Sequence, residues 1–205
     1  EDEETVEPSP LLHIVANPTD PFDNLVLHCI EDVEAYAPSG VVVERLTEPS
    51  GADVPLTPAQ ICYTVCGECD GEDVDEAGTM HLRSALLLVG CRSHVMPSRN
   101  SLHMAVVDSW MQLHAELCAA LALPKSPPLL SNQARVEAVM DRVLEHRRPW
   151  LSDFEEPTLA DFVWARTFRW LRAGSLPDVT IDCEDPRIAA YLSDVDALMQ
   201  QGTEE

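Results

Sequence analysis

Basic side chains are scarce. The 205 residues hold 13 Lys and Arg against 36 Asp and Glu, a formal charge of −23. A surface of that sign repels phosphate backbones and anionic lipid, so nucleic acid and membrane are not expected as direct partners. The scarcity is uneven: before Arg83 the one basic side chain is Arg45, and the rest fall between Arg83 and Arg187. Two subdomains of different chemistry are therefore expected. Long apolar runs are missing too; none approaches the roughly 18 residues of a membrane-spanning helix. The opening EDEETVEPSP is the reverse of a cationic leader. A soluble, cytoplasmic protein is the expectation, in which the seven cysteines, an odd number, are reduced and mostly act as small buried hydrophobes. Aromatics are only 5 %, but hydrophobic residues reach 45 %, enough for a core without metal or disulfide staples.

What is present reads as an α/β half followed by a helical half. Residues 1–10, acidic with two prolines, read as a disordered lead-in. Leu11–Val15 is a short apolar strand ended by Asn17-Pro18. Asp23 or Asn24 is expected to cap a helix in which Leu25, Val26, Cys29, Ile30 and Val33 repeat at helical spacing. Ser39-Gly40 breaks it, and Val41-Val-Val43 is a second strand, which makes a β-α-β unit and requires a parallel pair. Gln60–Val65 is a third strand, the Gly/Asp cluster at 67–78 a turn, Gly78–His81 a short fourth strand, and Leu82–Val89 a helix.

Beyond this, four helices are predicted. Leu102, Val106, Trp110, Leu113, Leu117 and Leu121 form one stripe. Val136, Val139, Met140, Val143 and Leu144 form another. Pro186–Met199 carries Ile188, Tyr191, Leu192, Val195 and Leu198 on one face. Between these two, the segment after Thr158 is apolar on more than one face, the pattern of a central buried helix. Thr158 and Asp161 have capping-box spacing, the hydroxyl toward the N–H three residues on and the carboxylate back to the Thr158 N–H.

This order of elements resembles the glutathione transferases. The segment Arg148-Pro-Trp-Leu-Ser-Asp-Phe-Glu-Glu-Pro-Thr158-Leu-Ala-Asp161-Phe is similar to the family's loop and capped central helix. The resemblance implies a thioredoxin-like subdomain at 11–92 and a transferase-type helical subdomain at 99–200. Pro49–Pro55 is similar to the stretch leading to the family's cis-proline, at Pro55 or else Pro58. Met80-His-Leu-Arg83-Ser84 is similar to the helix start that holds the γ-glutamyl end of glutathione.

The chemistry that should accompany the resemblance is thin. The family places a Tyr, Ser or Cys just after the first strand to stabilise the bound thiolate. Here Ala16–Asn24 contains none of the three. Thr19 is its only hydroxyl and the single catalytic candidate, with Asn17 a weaker donor. Asp20 and Asp23 would raise a neighbouring thiol's pKa rather than lower it. At the second site Arg83 stands where the family has Glu, so the α-amino group of glutathione meets a cation, and only Ser84 and Pro55 remain as binding candidates.

The resemblance thus implies a non-catalytic interaction module, of the kind carried by elongation factors, aminoacyl-tRNA synthetases and their scaffolds. Such a module pairs through helical faces, as a homodimer or heterodimer, with no cofactor. The alternative is an active transferase that uses glutathione.

Three further stretches have candidate chemistry. Cys62, Cys66 and Cys69 with His81 offer zinc-type ligands, but Cys62 and Cys66 on one strand stand about 13 Å apart, too far to share an ion. Cys66-Gly-Glu-Cys69 resembles a thioredoxin redox motif placed at the end of a strand rather than the start of a helix, and among carboxylates that raise its pKa. An incidental Cys66–Cys69 disulfide stays open. The acidic run 68–76 lacks calcium-loop spacing and reads as a solvated hairpin tip.

Overall fold

A computed structural model of the chain describes residues 11–15, 21–38, 41–44, 60–69, 72–97, 100–122, 131–151, 153–176, 178–179, 181 and 185–201. The elements run β1 (Leu11–Val15), α1 (Pro21–Tyr36), β2 (Val41–Glu44), β3 (Gln60–Cys69), β4 (Glu72–His81) and α2 (Leu82–Arg92). Four helices follow: α3 (Ser101–Ala122), α4 (Asn132–Glu145), α5 (Leu159–Arg172) and α6 (Pro186–Gln201). The strands form one sheet in the order β2-β1-β3-β4. β1 pairs parallel with β2 across the α1 crossover, whereas β3 pairs antiparallel with both β1 and β4.

Helix α5 is the axis of the helical half. Every residue from Leu159 to Leu171 is buried except Arg166 and Arg169. α1, α2, α3 and α6 all pack on it. Phe22 meets Trp170 and Tyr36 meets Phe162, at ring separations of 5.6 and 4.9 Å, so α1 runs antiparallel to α5 along its whole length. α2 comes closest at Gly90, where an added Cβ would stand 2.6 Å from Leu159 Cδ2. The chain leaves α5 through Gly174 at φ +73°, whose N–H donates to the Leu171 carbonyl, a left-handed exit open to glycine at no steric cost.

Several expectations are corrected. α1 begins at Pro21, so Asp23 and Asn24 lie inside its first turn rather than capping it; proline suits a first helical position, where no N–H is needed. β3 runs on to Cys69 and β4 starts at Glu72, so most of the expected 67–78 turn is ladder, with Cys69 paired to Glu72. Pairing with a neighbour has overridden the poor strand propensity of Gly, Asp and Glu. The acidic run at 68–76 therefore lies mostly within two strands rather than in a tip. α2 extends to Arg92. In α3 the buried stripe is Val107, Trp110, Met111, His114, Leu117, Cys118 and Leu121, while Leu102 is 68 % exposed. The lead-in at 1–10 lies outside the described residues.

Candidate functional site

Of the candidates, Thr19 and Pro55 lie outside the described residues, as do Asn17, Asp20 and Pro58. Ser84 is in the first turn of α2 and is exposed. Cys62, Cys66 and Cys69 all stand in β3. Along a continuous strand the Cα atoms of Cys66 and Cys69 are about 10 Å apart, beyond the roughly 7 Å a disulfide spans. That backbone spacing does not suit a Cys66–Cys69 bridge; the side chains of the three cysteines lie outside the described residues. Among the described residues no group of His, Cys, Asp and Glu has metal-ligand geometry.

Thr158 and Asp161 meet at the head of α5, where Thr158 is the N-cap in extended conformation. The return half of the capping box is a well-formed bond, Thr158 N–H to Asp161 Oδ2 at 2.9 Å. The Thr158 hydroxyl faces the Asp161 N–H without a well-formed bond to it and donates to the same Oδ2 at 3.1 Å. Asp161 does more than cap. Its Oδ1 accepts the Leu151 N–H at 2.9 Å, and the Tyr191 hydroxyl of α6 donates to the Asp161 carbonyl at 2.9 Å while lying 3.4 Å from Oδ1. Burial pushes its carboxyl up to about 6, against the opposing pull of the Leu151 and Thr158 donors. Fully enclosed and saturated with donors, the carboxylate has no face left for a substrate. It fastens the 147–151 loop, the start of α5 and α6 to one another.

A second buried polar cluster superficially has nucleophile-and-base composition. His114 Nε2 lies 3.0 Å from Thr167 Oγ1 and 3.6 Å from Cys118 Sγ. The Thr167 hydroxyl spends its proton on the Val163 carbonyl at 2.7 Å, so it can only accept from His114, which places the imidazole proton on Nε2. Burial lowers His114 to about 4 and pushes the Cys118 thiol up to about 12. A base that stays neutral beside a thiol that stays protonated cannot form a thiolate–imidazolium pair. The cluster is a satisfied core histidine.

Sequence reasoning missed the ion-pair line joining the two halves of the chain. Arg166 of α5 forks onto both carboxylate oxygens of Asp32 in α1, Nε at 2.7 Å, and Arg169 bridges Asp32 and Asp196 of α6. One signal was available: Asp32 sits among Cys29, Val33 and Tyr36, the positions of α1 that face the core. The C-terminal part of α5 and α6 also enclose a shallow groove of about 460 Å³, lined by Arg169, Arg172, Leu192, Ser193, Asp196 and Gln200. Ser84 is not among its walls.

The architecture is similar to that of two crystal structures of glutathione transferase Omega 2S from Trametes versicolor. One covers 96 % of this chain and 93 % of the other, at 13 % identity and a TM-score of 0.54. The second, a complex with 2,4-dihydroxybenzophenone, covers 96 % and 95 %, at 13 % identity and a TM-score of 0.50. No protein-family model matches the chain, and no curated protein matches it. The fold is therefore glutathione-transferase-like. No helix among the described residues is long and apolar enough to cross a membrane.

Proposed function

We propose that this chain is a non-catalytic module of glutathione-transferase fold that works by binding another protein. One observation carries the reading: the segment after the first strand, Ala16–Asn24, offers no Tyr, Ser or Cys to stabilise a thiolate, and it adds two carboxylates that disfavour one. Arg83 in place of an acid beside Ser84 works in the same direction. On this reading residues 11–92 form a thioredoxin-like subdomain and 99–200 a helical one. The module carries no cofactor and sits in a cytoplasmic, translation-related assembly, an aminoacyl-tRNA synthetase or elongation factor complex. With a charge of −23, a basic protein surface is the favoured partner.

The experiment is retention on glutathione resin together with conjugation of a chlorinated aromatic substrate. Neither is expected above background. Measurable turnover lost in Thr19→Ala would replace this proposal with the second reading, an active glutathione transferase. What favours that second reading is the naming of the similar solved structures as transferases.

A further inference from the structure

We infer that the outward face of α3 and α4 is the docking surface for a cationic amphipathic helix of a different protein, and not for a second copy of this chain. The inference rests on the interaction-module reading and gives that partner a place and a chemistry.

The face starts from an exposed row on α3. Leu102, Ala105, Ser109, Gln112, Glu116 and Ala119 follow one another by three and four residues, and every one is exposed. That is the spacing of a seam against another helix, yet the buried stripe of α3 is a different one, turned toward α5. α4 lies antiparallel beside α3: Arg135 reaches the Ala120 carbonyl, while His146 and Arg142 reach the Trp110 ring at 5.7 and 5.9 Å. In this register Glu116 stands level with Glu137, and Gln112 with Asp141. The core sides of both helices, Val107, Met111 and Cys118 on one and Val136, Met140 and Val143 on the other, point the same way, so their exposed sides form one surface.

The chemistry of this surface selects the occupant. Small side chains at 105, 109 and 119 let a helix approach closely. At one end stands Leu102, which with Met104 makes up the exposed large hydrophobics among the described residues. Across the middle lie Glu116, Asp141 and Glu145, with Glu137 on the flank of α4 turned away from α3. Of these, Glu116 and Glu137 bond to neutral glutamines on their own helices, and Asp141 shares Arg187 with Asp185. The guanidiniums beside the face are engaged, Arg142 over Trp110, Arg135 at the Ala120 carbonyl and Arg187 between Asp141 and Asp185. A second copy would bring these carboxylates against themselves in a molecule already at −23, and like charges so opposed cost several kcal/mol. A helix with Lys or Arg along one side and an apolar anchor at its end meets them with complementary charge and covers Leu102.

The test uses the full chain and a fluorescein-labelled Lys/Leu amphipathic peptide of about 20 residues, roughly 30 Å as a helix. Anisotropy is read for the wild type and two neutralised variants. The face variant is Glu116→Gln, Glu137→Gln, Asp141→Asn and Glu145→Gln; the control, with the same charge removed elsewhere, is Asp153→Asn, Glu155→Gln, Glu156→Gln and Asp178→Asn. Circular dichroism confirms that both stay folded. The expected result is a loss of affinity of about tenfold or more in the face variant and little change in the control, with Leu102→Ser adding a further loss. Equal losses in both variants would reduce the binding to net charge and overturn the inference. So would a homodimer, seen by light scattering, that Leu102→Arg dissociates. Glutathione conjugation measured on the same samples keeps the two proposals separate: turnover with the face result intact removes only the non-catalytic reading.

Discussion

At its N-terminal end α5 buries Asp161 among N–H and O–H donors, with no guanidinium hydrogen-bonded to it among the described residues, whereas two turns further on Arg166 and Arg169 hold Asp32 by ion pairs. The first arrangement is mostly local, its donors coming from Leu151, Thr158 and Tyr191 within the helical half. The second joins residues 134 apart in the chain and ties α1 to α5. The difference lies in what burial does. A fully enclosed carboxylate is kept in place by hydrogen bonds that cannot be replaced by water, so each is costly to lose. Asp32 is also buried, its side chain 10 % exposed, but its arginine partners are 25 % and 23 % exposed, so water and salt still screen the charges that hold it.

The largest effect is therefore expected at Asp161. Asp161→Ala leaves the Leu151 and Thr158 N–H groups and the Thr158 hydroxyl without their acceptor in the core, which costs roughly 3–5 kcal/mol, while the Tyr191 hydroxyl keeps the carbonyl of residue 161. Urea denaturation measures it; a loss no greater than that of Asp32→Ala would mean that the two ends of α5 are held alike.

Next comes the dependence on pH. The folded pKa of Asp161 is raised to about 6, so the unfolded chain loses that proton first and the group's stabilisation is lost as pH rises from about 4 to about 6. His114 is lowered to about 4, so its contribution runs the other way, gained as pH rises from about 4 to about 6.5. Each is worth roughly 3 kcal/mol across its window, and the two largely cancel. Relative to wild type, Asp161→Asn is expected to gain stability with rising pH through this window and His114→Gln to lose it. Parallel curves for all three proteins would remove the assignment.

Smaller is the response to Gly90→Ala, which pushes a Cβ against Leu159 at the head of α5 and costs about 1–3 kcal/mol. Shortening Leu159 to Ala in the same chain should make the pair less damaging than the sum of the singles; strict additivity would mean that the contact is not felt. Smallest is Asp32→Asn, about 1 kcal/mol at low salt and shrinking as salt is added, followed by thermal unfolding at two ionic strengths. A loss that salt leaves untouched would make this end of α5 resemble the other.

Much of the helical half is legible in the residues alone. α5 stands out because apolar side chains appear all round it, and Thr158 and Asp161 are three apart before it. Local spacing carries both signals. What stayed illegible depends on neighbours far along the chain. Gly67, Glu72 and Asp73 have the composition of a turn, and only antiparallel pairing of β3 with β4 makes them strand. Leu102 continues the apolar repeat of α3, but the helix turns a neighbouring stripe inward because α5 is packed there.

Composition and periodicity determined that this chain has an acidic α/β half and a helical half built on one buried helix, since net charge and the 3.6-residue repeat are properties of the chain itself. The tertiary structure alone decided that Asp161 also fastens Leu151 and Tyr191, that Asp32 answers Arg166, and that one row of α3 remains open. Those contacts join residues from 10 to 134 positions apart, and no local spacing encodes which distant groups burial will bring together.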